Sequence, residues 1–283
     1  MASASDVSAQ QTGGSGATFQ LLAQVDSTNS WLKARAHETA HGFTVYTHSQ
    51  SAGRGQRGNS WESEPGKNLT FSILLRPDAL PASAQFAISE AVCCGVALVL
   101  RRRLDKCGRG GEVKVKWPND VYCADGKIAG ILIENTLSPD GLVAASVAGV
   151  GLNVNQTRWM GDAPNPVSMR GICGEDTALE PLLEEVVGEI LTLVDTISSP
   201  EGRLRLHELY LRLLYRRDGL PYPFFIPSDI RRPVTVIPSA TDRHFEAAIE
   251  DVDPTGALLL RHPDGTLSSH LFKEVAFIID RHN

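Results

Sequence analysis

Two hydrophobic periods organise this chain. Alternating, β-former-rich segments at 43–48, 68–76, 113–117 and 126–135, and a longer apolar run at 142–155, predict strands. Between them Ala87, Ala91, Val92, Val96, Val99 and Leu100 recur at helical spacing, which predicts a helix over 84–107. Residues 177–198 and 200–217 carry leucine and valine stripes and predict two more helices. Near the start, 19–23 reads as an edge strand. The following Asp26-Ser27-Thr28-Asn29 offers caps for a helix beginning near Ser30. Beyond a proline-rich link at 221–227, short segments at 233–237, 244–252, 256–261, 267–271 and 276–280 are separated by turn residues and suggest a small barrel. The fold class is therefore α+β, with a main unit over 19–226 and a smaller one over 227–283. Residues 1–18, rich in Ala, Ser, Gly and Gln, have too little apolar surface to offset the entropy of ordering and predict an unstructured tail.

Composition narrows the function classes. With 283 residues and 42% hydrophobic content the chain can bury a substantial core, as an enzyme requires. A net charge of −6 argues against general nucleic-acid binding, and the Arg101-Arg102-Arg103 run is most simply a solvated helix end. No lysine or arginine precedes Lys33 and no signal-like apolar run is present, so secretion is disfavoured. No stretch reads as a membrane span, and a cytoplasmic setting is expected. Five cysteines without a Cys-x-x-Cys pair suggest neither a zinc site nor a disulfide framework, and are expected as reduced, buried thiols.

The chemistry concentrates in two charged cassettes. Gly53-Arg54-Gly55-Gln56-Arg57-Gly58 is a flexible turn with two guanidinium groups, and Lys116-Trp117-Pro118-Asn119-Asp120 is followed by Lys127. Glycines let backbone N–H groups face a phosphate, and arginine forks remain charged at any physiological pH. Such a set suits the joining of two mutually repelling anions, a carboxylate and a nucleoside triphosphate, with a magnesium ion between them. Gly149 and Gly151 mark a strand where a ligand or another backbone can come close. Singly, each motif has a plainer reading: a surface loop, a helix cap, a turn lysine, a bulge.

Taken in order, Asp26-Ser27-Thr28-Asn29, Gln50-x-x-Gly53-Arg54-Gly55-Gln56-Arg57-Gly58, Lys116-Trp117-Pro118-Asn119-Asp120, Lys127-x-x-Gly130-Ile131-Leu132-x-Glu134 and Gly149-x-Gly151-x-Asn153 resemble the biotin protein ligases. The resemblance runs from about Phe19 to the C-terminus. It implies a mixed sheet packed with helices, of the biotin–lipoate ligase type related to class II aminoacyl-tRNA synthetases, followed by an SH3-like barrel. It also implies two steps: biotin's carboxylate attacks the α-phosphate of ATP to give biotinyl-5'-AMP, and a lysine of a biotin carboxyl carrier domain then takes the biotinyl group.

By that resemblance Ser27, Thr28, Asn29 and Gln50 would line the ureido end of biotin, with Gly53, Arg54, Gly55, Lys127, Gly130, Gly149 and Gly151 completing its pocket. ATP would meet Arg54, Gln56, Arg57, Trp61, Lys116, Asn119, Lys127 and Asn153. Catalysis would fall to Lys127, Arg54, Arg57, Lys116 and Asp120, and Asp120 would orient a cation, a magnesium-bound water or the incoming lysine. Where the family's commonest loop has arginine, this chain has Gln56, which implies looser closure over the adenylate; arginine is also missing at Asn59. A lipoate or octanoate ligase and a non-catalytic biotin-binding protein are the alternatives. The acceptor carboxylases and the choice between monomer and dimer are not legible in the sequence.

Overall fold

The computed structural model describes residues 7–12, 17–55, 61–161, 165–229 and 238–279, with backbone alone for 7–12. Its main sheet has eight strands in the order β1-β2-β3-β4-β8-β7-β6-β5. These are β1 Val7–Thr12, β2 Thr18–Leu22, β3 Phe43–Thr47, β4 Leu69–Leu75, β5 Val113–Lys116, β6 Asp120–Cys123, β7 Gly126–Leu137 and β8 Val143–Leu152. Only β2 and β3 pair in parallel, so the sheet is mixed.

Both faces are covered, which explains why every residue of β4 is buried. On one face α1 (Thr28–Ala34) packs Leu32 against Val45, Leu74 and Val147. Ser27 caps it by accepting from Ser30 N–H. The other face carries α2 (Phe86–Asp105), α4 (Leu179–Thr196) and α5 (Pro200–Leu213), with the short α3 (Met169–Cys173) beside them. In α5 a Ser199 cap and Pro200 in the first turn set the start, as helix chemistry favours.

A second, antiparallel sheet of five strands follows in the order β12-β11-β10-β9-β13 and has the character of a small SH3-like barrel. Its strands are β9 Tyr222–Ile226, β10 Arg243–Val252, β11 Leu258–Arg261, β12 Leu267–His270 and β13 Ala276–Phe277.

Three expectations change. Residues 7–12 form a strand instead of a tail, because pairing with β2 uses main-chain groups and asks nothing of apolar side chains. The proline-rich link contains β9, in which Pro223 takes part through its carbonyl, accepting from Ile278 N–H. Residues 82–105 reach a membrane span's length and hydropathy as a buried core helix does, and the expectation of no membrane span is unchanged: α2 is apolar nearly all round because the sheet, α4 and α5 enclose it. Finally, Cys107 and Cys173 form a disulfide, with their Cα atoms 5.7 Å apart, while Cys93, Cys94 and Cys123 are free and buried. Spacing alone could not show that the end of α2 meets the end of α3. The strand expected at 233–237 lies outside the described residues.

Candidate active site

The site is a row running across the sheet on the α1 face. Successive register partners Thr70, Gly151, Gly130, Asp120 and Lys116 link β4, β8, β7, β6 and β5. Two residues away, Ser72, Gly149 and Leu132 form a parallel row. The glycines leave a trough. A Cβ on Gly151 would lie 2.2 Å from the Trp61 ring, and one on Gly149 would lie 2.0 Å from Asn29 Oδ1.

Above the trough lies a cavity of about 540 Å³. Of the residues expected from sequence, Ser27, Thr28, Asn29, Gln50, Arg54, Gly55, Trp61, Lys116, Asn119, Asp120, Lys127, Gly130, Gly149, Gly151 and Asn153 all line it. Gly53 does not; its carbonyl accepts from Trp61 N–H and closes the base of the loop. Gln56 and Arg57 lie outside the described residues.

Lys127 reaches the row through a β-bulge. Regular alternation would place it and Gly130, three positions apart, on opposite faces, but the register shifts so that Lys127 sits opposite Tyr122 and Gly130 opposite Asp120. The lysine then bends over Gly130, and Nζ lies 2.7 Å from Asp120 Oδ1. Lys116, 8% exposed, extends between aromatic faces, with Nζ 4.7 Å from the Phe277 ring centre and 5.4 Å from that of Tyr122. Burial draws its pKa down to about 8; Asp120 opposes that shift and the charges of Lys127 and Arg216 add to it.

Arg54 rests at the rim, donating to Ser30 Oγ at 3.0 Å, with Glu134 3.9 Å away. Asn153 donates through Nδ2 to the carbonyls of Lys127 and Val167, while its buried Oδ1 has no partner among the described residues. Two expected ligand contacts are already engaged. Asn119 Nδ2 donates to the Ile131 carbonyl, and the Asn29 amide is held by Ser72, Leu132 and Glu134. Both residues line the cavity.

Other lining residues went unnoticed in the sequence. Trp159 stands on a loop pinned by Glu62, which accepts from Met160 and Gly161 N–H. Ala276 and Phe277 come from β13 of the second sheet and Phe272 and Val275 from the turn before it, and Trp117 secures this part by donating from its indole to the Gly256 carbonyl at 2.9 Å. Hydrophobic residues on barrel strands carry no signal of such a role; only folding brings them to the trough. Among the described residues no group of three or more His, Cys, Asp or Glu could hold a metal by itself.

This architecture and cavity define a ligase of small carboxylic acids, and the chain belongs to the biotin protein ligases of the biotin/lipoate A/B protein ligase family, whose model matches residues 21–153. It is 39% identical over 272 residues to the bifunctional ligase/repressor BirA of Escherichia coli strain K12, covering 92% of this chain and 74% of that one. It is 30% identical over 255 residues to the biotin–[acetyl-CoA-carboxylase] ligase of Paracoccus denitrificans, covering 87% and 95%. The fold matches a biotin protein ligase from Aquifex aeolicus, solved in complex with biotin and ATP, with a TM-score of 0.67, 20% identity, and coverage of 93% and 99%.

Proposed function

We propose that this protein condenses biotin with ATP to biotinyl-5'-AMP and transfers the biotinyl group to a lysine of a biotin carboxyl carrier domain. The observation that carries the reading is the shared cavity in which Lys127, Lys116, Asp120 and Arg54 meet a pocket of hydroxyls and amides over a glycine trough. Thr28 and Gln50 would hold the ureido ring. The trough would take the bicyclic body, and Lys127 would pair with the carboxylate.

Lys127 and Lys116 would then neutralise the charge that develops at the α-phosphate, and Arg54 would swing from its rim position to join them. Asn153 Oδ1, buried without a partner among the described residues, suits the exocyclic amine of adenine as an acceptor. Trp61 and Trp159 would enclose the nucleotide. Asp120 would hold a magnesium ion, which usually needs only one or two protein carboxylates when a nucleotide is bound, and the ion would supply charge neutralisation for the leaving pyrophosphate. In the second step Asp120, beside Lys127, is placed to orient the incoming amine. A cytoplasmic setting accords with the need for ATP.

Pyrophosphate exchange into ATP tests the first step, run with biotin, with lipoate and with neither. Biotin-dependent exchange followed by labelling of a carrier domain is expected. Exchange with lipoate alone would transfer the reading to lipoate ligation, and silence in all three would end it.

A further inference from the structure

The Asn29 amide has a fixed orientation. Nδ2 donates to Leu132 O and to Glu134 Oε2, both at 3.2 Å, while Oδ1 lies 2.6 Å from Ser72 Oγ. A carbonyl and a carboxylate only accept, so the nitrogen must face them and the oxygen must face Ser72. Burial works against ionisation of Glu134. Hydrogen bonds from Lys33 and Asn29, and the charges of Lys33 and Arg54, outweigh it and hold the carboxyl below its ordinary pKa.

Protons can now be followed along the chain of contacts. Ser72, 0% exposed, has one hydroxyl proton and two contacts, 2.6 Å to Asn29 Oδ1 and 2.8 Å to Thr28 Oγ1. Asn29 Oδ1 has no proton to give, so Ser72 donates to it. The contact between the two hydroxyls must then use the proton of Thr28. Gln50 Oε1, 3.4 Å from Thr28 Oγ1, also takes a proton from it. Either destination leaves Thr28 with lone pairs alone for a ligand. Gln50 is fixed independently, because its Oε1 accepts from Thr28 N–H at 3.0 Å, which leaves its Nε2 as a donor.

We propose that Glu134 and Ser72 are positioning residues that, through Asn29, fix the Thr28 hydroxyl as a hydrogen-bond acceptor, so that the pocket selects a ring carrying N–H at that point and a carbonyl beside it. This deepens the biotin reading and rests on it. An uncharged relay would let the hydroxyls rotate and tolerate a ring lacking that N–H; the charged end of the relay forbids it.

The test compares biotin with two analogues, each methylated at one ring nitrogen, in pyrophosphate exchange. For the parent protein, methylation at one nitrogen is expected to raise KM by at least about tenfold, the loss of one buried hydrogen bond. In Ser72→Ala the KM for biotin rises about tenfold, the penalty for that methylated analogue shrinks, and the KM for ATP is unchanged. Glu134→Gln, which keeps the shape and removes the charge, shrinks the same penalty by a smaller factor. A variant that loosened the fold generally would alter ATP binding and spare the analogue ratio. Equal use of biotin and both methylated analogues by the parent overturns the inference, as does an analogue penalty that survives in both variants. A parent without any biotin-dependent exchange would instead remove the biotin reading itself.

Discussion

Asp120 and Lys127 form an ion pair 2.7 Å long on neighbouring strands, built on a bulge that turns the lysine onto the face of the aspartate. An arriving carboxylate must therefore share or replace a contact the protein already makes. Lys127→Ala is expected to cut kcat/KM for adenylate formation by roughly a hundredfold, the scale of losing one well-placed donor to developing charge. Its melting curve should stay close to the parent's, since the pair is partly solvated. Pre-steady-state adenylate formation measures the first effect, and undiminished formation would take Lys127 out of the chemistry.

Lys116 makes nucleotide binding pH-dependent. With a pKa of about 8 it is roughly half neutral at that pH, and a bound triphosphate favours its ammonium form. Binding should therefore take up protons near pH 8 and weaken as pH rises further, by at most about tenfold per unit. Calorimetry of ATP binding in two buffers of different ionisation enthalpy reads the uptake; in Lys116→Met it should vanish. The apo fold responds with the opposite sign. Between about 8 and the ordinary 10.5 the unfolded chain holds the proton and the folded chain does not, so this lysine's contribution to stability improves as pH climbs through that window.

A second titrating joint lies far from the cavity. His207 on α5 bonds through Nδ1 to Glu90 of α2 at 2.7 Å and through Nε2 to Asp251 of β10 at 3.2 Å, so it joins the two sheets' layers. The hydrogen bond to Glu90 is the main cause of its raised pKa; burial opposes the rise, and the charges of Glu90 and Asp251 support it. A histidine raised in this way contributes its full stability below the unfolded value of 6.5 and loses it as pH passes through the folded one. Glu90, itself raised by burial, adds in the same direction above 4.5. The melting temperature should fall as pH rises above 6.5, and His207→Gln should flatten that slope.

The disulfide gives a redox prediction. It closes a loop of 66 residues and anchors α3, whose first residue Met169 donates its N–H to the Asn153 carbonyl while Val167 just before it donates to that of Lys127. On the chain-entropy account, reduction should lower stability by about 4 kcal/mol. Thiol titration in denaturant should count three groups before reduction and five after it, and Cys107→Ser should melt like the reduced parent. Five thiols at the outset would refute the bond.

Much of this molecule is legible in the sequence because local pattern and long-range role coincide. The alternation in β3 and β4, the stripes of α4 and α5, and the Ser27 and Ser199 caps follow from period and hydroxyl chemistry alone. The cassettes pointed to a common site because a loop of cations, a polar pocket and a glycine-marked strand occur together in one family order. What escaped depends on meetings between distant segments. Lys127 and Gly130 share a face only through the bulge, Asn29 and Asn119 both meet backbone carbonyls of β7, and Phe277 is merely apolar until it covers Lys116. The strand at 7–12 hides behind a polar composition because its pairing is made by the main chain.

The hydrogen bond from Trp117 to Gly256 spans 139 positions of sequence. Because it ties a cassette residue to a hairpin of the second sheet, the two parts cannot vary as separate modules: a barrel grafted from elsewhere would have to present a carbonyl at the same spot and an aromatic ring over the same ammonium. Heredity is thus asked to keep both halves in step, and a neutral-looking change in a remote turn is felt across the chain at the glycine trough.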